Sequence, residues 1–367
     1  MTILQISSLR CFSFNMKKIT GLLLLFVLNA QAQEADLAYL ALPSLNADTF
    51  QQVNEQPLSL NDLHSLYNSS SKGKIILGYS KNHYPVEAYF FPGTSDQKAL
   101  VVGGMHGSEL SSVDVANLVI SLLETGSRPF YNVVVIPSLF PDNAEKACHA
   151  PSGKINYGRY TSDHNADPNR QMPMLGTSFD ASKPFDAEGR QIEKENIFLL
   201  SLIQSYQPSR IANLHAIRDI SRAGIYADPR TDCEGRAIGF EPDMQLALGM
   251  AKYISDHGGN VSGNDLKGNP SALYYKDPPA AMKGQKQLRN LHGSLLPGRR
   301  GAGVSLGSWA ATAVCDGSMP REAIQLITVE FPGYDSYKKC KDGELRFRNV
   351  YLYASALVDA FLGSYKF

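Results

Sequence analysis

Short, wholly apolar runs recur between helical patterns from residue 74 onwards, and no other feature limits the fold as much. Residues 99–103 (ALVVG) and 132–137 (NVVVIP) lack the polar alternation of a half-exposed strand and read as strands buried on both faces. Between them Val115, Leu118, Val119 and Leu122 stand at i, i+3, i+4 and i+7, one helical face, with Gly126 as its C-cap. Residues 74–79 and 86–91 read as two strands about the turn-like Lys81-Asn82-His83. Further on come a helix (192–204), a strand (211–215), a helix (244–257), a β-branched strand (324–330, IQLITVE) and a final helix (350–362). This order predicts one α/β domain over residues 73–367, a mixed and largely parallel sheet flanked by helices. Residues 260–320, rich in glycine and proline, read as a long loop, and 33–72 as an N-terminal extension with a short helix near 60–67.

The segment 19–28 (ITGLLLLFVL) follows Met16-Lys17-Lys18 and precedes Ala30-Gln31-Ala32. A basic start, an apolar stretch and an A-x-A ending describe a secretory signal region over 1–32, too short for a span of about 20 residues. Residues 1–15 fit no part of such a signal, so Met16 is a candidate initiator. Cleavage after Ala32 removes Arg10, Lys17 and Lys18 and no acid, so the balance of 35 bases and 35 acids becomes mildly acidic. No basic surplus exists to neutralise a phosphate backbone, which argues against a nucleic-acid partner. Export implies a periplasmic or secreted protein. Cys148, Cys233, Cys315 and Cys340 would remain, enough for two disulfides in any of three pairings.

Candidate chemistry gathers at the ends of the predicted strands, where open α/β sheets bind ligands. His106 and Glu109 follow the strand 99–103, His215 closes 211–215, and Glu330 closes 324–330. Two histidines and one glutamate form the set that leaves zinc one open position for water. Glu330 is then a second carboxylate able to take that water's proton.

The succession H-x-x-E, a distant Asp-x-Asn-Arg, a strand ending in His and a strand ending in Glu resembles the M14 zinc carboxypeptidases (funnelins). The segment Gly307-Ser308-Trp309-Ala310 is similar to the family's murein-peptide amidase branch. The resemblance implies one Zn2+ held by His106, Glu109 and His215, with Glu330 as general base and then general acid. It implies that Asp167 orients His106, that Asn169 and Arg170 grip the substrate's terminal carboxylate, and that Arg159 stabilises the oxyanion. The chain departs from the family in Gln171-Met172-Pro173 after Arg170, and no tyrosine occupies the place of the mobile active-site tyrosine. Trp309, Tyr274 and Tyr275 lie in the corresponding loop region.

The expected activity is amide hydrolysis of exported peptides, with cell-wall stem peptides cut beside diaminopimelate as the expected substrate. Asp316 would receive that residue's distal ammonium. Other readings of the same residues are a general secreted metallocarboxypeptidase, an N-acyl amino acid deacylase, and a non-catalytic peptidoglycan-binding module.

Overall fold

A computed structural model describes residues 51–52, 71–154, 156–161, 165–233, 238, 240–266, 302–315, 319–339 and 342–363. The signal region, most of the extension, Tyr274, Tyr275, Asp316 and Cys340 lie outside them.

Eight strands form one sheet: β1 (Gln51–Gln52), β2 (Gly73–Tyr79), β3 (Pro85–Phe91), β4 (Lys98–Val102), β5 (Asn132–Ile136), β6 (Arg210–Ile217), β7 (Gly224–Ala227) and β8 (Gln325–Pro332). Their order across the sheet is β1-β2-β3-β5-β4-β6-β8-β7. The central pairs β5-β4, β4-β6 and β6-β8 are parallel, whereas β2-β3, β3-β5 and β7-β8 are antiparallel. The predicted mixed sheet, parallel at its centre, is therefore the architecture found.

Helices cover both faces. On one lie α1 (Leu110–Thr125), α4 (Phe240–Asp256) and α6 (Gly343–Ala356), with α6 packed on both α1 and α4. On the other, α3 (Lys194–Tyr206) and α5 (Leu306–Ala310) meet the sheet through Leu199, Leu200, Ile203, Tyr206 and Trp309. With helices on both sides, Leu100, Val101, Val102 and Val133 to Ile136 are fully buried, which is why these strands show no alternation. The remaining helix, α2 (Pro141–Cys148), follows β5.

Several boundaries differ from the sequence expectation. Helix α1 starts at Leu110 and buries Ser111, Ser112 and Asp114 besides its apolar face, because a second helical layer covers it. Within the expected loop 260–320 the chain forms α5, capped by the Ser305 hydroxyl, which accepts the Ser308 N–H. Strands β6 and β8 each run two residues past His215 and Glu330. Helix α2 and strand β7 were not anticipated: α2 buries only Asn143, and β7 has four residues.

Cys233 and Cys315 form a disulfide across a sequence separation of 82 residues. Cys148 ends α2 and is half-buried.

Candidate metal centre

The centre lies at the carboxyl edge of β4, β6 and β8. The chain leaves β4 through Gly103-Gly104 and bends sharply. Gly104 has φ +63°, and a Cβ there would lie 2.8 Å from the Ser138 Cα. Leu139 and Phe140 donate their N–H groups to the carbonyls of Gly103 and Gly104, tying this bend to the segment after β5. The bend delivers His106 and then Glu109, which occupies the N-cap of α1 without capping it. Its carboxylate is committed elsewhere.

Glu109 joins the other groups. Its Oε1 lies 2.9 Å from His106 Nδ1 and accepts from Arg159 Nη1 at 2.7 Å. Its Oε2 lies 3.0 Å from His215 Nδ1 and accepts the Ala216 N–H at 3.0 Å. One ligand atom each from His106, Glu109 and His215 lies within 4.8 Å of the others, and all three residues are buried. Sequence separations of 3 and 106 residues are thus closed into one cluster.

Asp167 Oδ1 takes the other nitrogen of His106, Nε2, at 2.8 Å, and also accepts the Asn169 N–H at 3.0 Å. A carboxylate there holds the Nε2 proton and orients the ring, so that Nδ1 serves a cation once its own proton, which points at Glu109, is displaced. Asn169 Nδ2 lies 3.2 Å from His215 Nε2, and its Oδ1 accepts the Leu306 N–H of α5 at 2.9 Å. His215 Nε2 therefore accepts from Asn169 and its proton sits on Nδ1, towards Glu109, so holding a cation through Nδ1 displaces that proton. Two imidazoles, one carboxylate and an oriented ring nitrogen fit zinc.

Charges follow this geometry. Burial would push the His106 ring down, but the Glu109 charge and the bonds to Asp167 and Glu109 outweigh it and raise the ring to about 9. Burial also works against Glu109, yet the two histidines hold its carboxyl well below the usual range. Asp167 is likewise held low, against burial, by His106, Arg159 and Arg170. Glu330 goes the other way: burial and the nearby Glu109 charge raise it, with His215 opposing.

Glu330 pairs in register with His215 across the parallel β6-β8 ladder. Its carboxylate makes no hydrogen bond or ion pair among the described residues. Arg170 spends Nη1 on the Asn169 carbonyl at 2.6 Å. Arg159 lies on Glu109 and 3.4 Å from Asp167 Oδ2, using two of its five donors. Asp316 lies outside the described residues, whereas His106, Glu109, Arg159, Asp167, Asn169, Arg170, His215 and Glu330 gather at this edge of the sheet. Trp309 does not: it is 1 % exposed, donates to the Thr177 carbonyl and stacks under Arg321, a core residue of α5.

Two further residues belong to the neighbourhood. Tyr334, four residues past Glu330, has its hydroxyl pushed up by burial and by the Glu109 charge, with Arg159 and Arg218 acting against this. Asp228, just past β7, accepts from Thr328 Oγ1 at 2.7 Å and is pushed up to about 6 by burial despite His215 and Arg170. Gly307 packs against it, since a Cβ there would lie 2.5 Å from Oδ1. Their one sequence signal was proximity to a strand end, which many residues share.

No family model matches the chain and no curated protein does. Solved structures do. A metallopeptidase candidate from Shewanella amazonensis SB2B is similar at TM-score 0.44 and 14% identity, covering 84% of this chain and 94% of that one. Murein-tripeptide amidase MpaA from Escherichia coli O157 is similar at TM-score 0.38 and 18% identity, over 79% and 95% of the two chains. Thrombin activatable fibrinolysis inhibitor is similar at TM-score 0.44 and 13% identity, over 84% and 77%.

Proposed function

We propose that the chain is a zinc-dependent amide hydrolase of the carboxypeptidase type, acting on peptides with a free terminal carboxylate. The observation that carries this reading is the buried convergence of His106, Glu109 and His215 beside the carboxylate of Glu330, which is unpaired among the described residues. When bound, zinc would polarise the scissile carbonyl and make water a nucleophile near neutral pH. Glu330, raised and without a partner among the described residues, takes the proton of the attacking water and passes it to the leaving amine. Arg159 offers its remaining N–H donors to the oxygen on which charge develops. Arg170 and Asn169 hold the substrate's carboxylate, for which a planar guanidinium supplies two parallel hydrogen bonds.

The signal-like segment 1–32 and the Cys233–Cys315 disulfide both support export to an oxidising compartment. A periplasmic or secreted hydrolase meets cell-wall stem peptides, and we place the cleavage beside diaminopimelate on the strength of the Gly307–Ala310 resemblance. Among the described residues no helix is long and apolar enough to cross a membrane.

The test is the metal content of the purified protein, followed by mass spectrometry of products from a mixture of stem peptides and ordinary peptides. Loss of one C-terminal residue or of a diaminopimelate-containing fragment, abolished by a chelator, is the expected result. A protein that carries zinc yet leaves every peptide intact would overturn the reading.

A further inference from the structure

A cavity of about 220 Å3 opens beside the metal centre, and its wall sets cationic groups among the apolar Leu110, Ala147 and Ala150 and the ring of Tyr157. It is lined by Ser108, next to Glu109; by Arg218, three residues past His215; by Tyr334 and Asp335, beyond Glu330; and by Lys154 and Arg346. Three cations therefore face one carboxylate. Arg346 spends one donor on the Pro332 carbonyl at 3.1 Å. Neither the Arg218 guanidinium nor the Lys154 ammonium makes a hydrogen bond or ion pair among the described residues. Ser108 is 6 % exposed, and its hydroxyl is buried with no hydrogen-bond partner.

The cavity also has a definite place relative to the substrate clamp. Asn169 is tied to Leu306 of α5, and the Pro168 carbonyl accepts from Asn196 of α3, so the clamp belongs to the α3-α5 face of the sheet. Leu110 of α1 and Arg346 of α6 line the cavity, which belongs to the opposite face. On the proposed reading, a chain anchored by its terminal carboxylate at Arg170 and crossing the metal centre would carry its acyl portion towards this cavity.

We infer that this cavity is an anion-recognition subsite, which takes a carboxylate borne by the acyl side of the substrate. This rests on the reading of Arg170 as the anchor of the leaving residue, and it adds a second charged requirement to the substrate class. A guanidinium and an ammonium, neither paired among the described residues, are complementary to a carboxylate, while Leu110, Ala147 and Ala150 suit the aliphatic stem that carries it. Arg218 supplies the planar fork and Lys154 the point charge.

The probes are blocked peptides in two frames, N-acetyl-Glu-Ala against N-acetyl-Gln-Ala, and N-acetyl-Glu-Ala-Ala against N-acetyl-Gln-Ala-Ala. Binding is measured by calorimetry on the chelator-treated protein, and hydrolysis on the zinc-loaded protein. In one frame the glutamate peptide should bind about tenfold tighter than its glutamine partner, through charge-assisted hydrogen bonds. Arg218→Ala should reduce that preference to about twofold or less while leaving the glutamine peptides unchanged in binding and turnover; Lys154→Ala should weaken it less. Arg218 is exposed, so the substitution leaves the fold intact. Equal binding of glutamate and glutamine peptides in both frames, or a preference that survives Arg218→Ala combined with Lys154→Ala, overturns the subsite. Hydrolysis without charge preference would sink the subsite and leave the hydrolase reading standing. Glutamate-selective binding with no hydrolysis would do the reverse.

Discussion

At the scale of single residues, Glu109 organises the centre. Four donors converge on its two oxygens, from His106, Arg159, His215 and the Ala216 backbone. Such a buried carboxylate is favourable only while its partners stay charged or hydrogen-bonded. This gives the metal-free protein a pH signature. His106, held at about 9 when folded, has an ordinary value near 6.5, so its contribution is complete below that value and is lost as pH climbs towards 9. Glu109 and Asp167, held low, contribute above their ordinary values of about 4 and lose that as pH falls. Thermal melting of chelator-treated protein should therefore show Tm falling between about pH 6.5 and 9. Zinc-loaded protein should not show this fall, because a ligating ring is already neutral. An unchanged Tm across that interval in the metal-free protein would refute the His106–Glu109 pairing. Glu330 offers the complementary test. Glu330→Gln should keep zinc bound and lower turnover by about 10²–10⁴, the usual worth of a positioned proton carrier. Near-normal hydrolysis by that variant would remove Glu330 from the chemistry.

At the scale of elements, much of the centre was legible before any coordinates. His106, Glu109, His215 and Glu330 were found because each lies at or near the end of an apolar run that could only be a buried strand. The links between them were not legible. Arg159 sits on a ligand carboxylate 50 residues away, and Asn169 on a ring 46 residues away, and neither contact leaves a trace in local pattern. Helix α2 was missed because Asp142, Glu145 and Lys146 interrupt any apolar stripe, leaving only Pro141 and the acidic Asp142 in its first turn as start signals. The bend after β4 is where element geometry meets function. Gly104→Ala puts a Cβ at φ +63° and against Ser138, a strained placement costing on the order of 1–3 kcal/mol. The variant should melt at a lower temperature and bind zinc more weakly, since the same bend positions His106. Calorimetric zinc titration checks this, and wild-type affinity would show that the bend does not set the ligand.

At the scale of the whole molecule, Asn169 lies on the α3-α5 face of the sheet and the cavity of Arg218 and Lys154 on the α1-α6 face, with the cluster of His106, Glu109 and His215 at the edge between them. Between β7 and β8 the chain forms α4, which packs on both strands, and later α5, and this long connection is stapled. Cys233–Cys315 closes a separation of 82 residues, and Thr231 bonds both ways with the α5 end, accepting from Ala313 and donating to Ala311. A loop of that size places the entropic value of the bridge at about 4.5 kcal/mol in the chain-entropy picture. Replacing both cysteines by serine should therefore lower Tm clearly. The consequence for function is more specific. Segment 305–308 carries the Leu306 N–H that holds Asn169 and the Gly307 that packs on Asp228, so loosening it should disturb Asn169 and with it the proposed hold on a terminal carboxylate. His106 and Glu109 follow the Gly103-Gly104 bend, which is tied to the segment after β5, and His215 keeps its contact with Glu109 when Asn169 loosens, so zinc affinity should fall less than peptide affinity. The double serine variant should therefore show a raised KM for peptides with a free terminal carboxylate, with zinc content near wild type. A variant that loses zinc and peptide binding together would mean that the staple supports the metal centre itself, and that the clamp and the ligands do not belong to separately anchored parts of the fold.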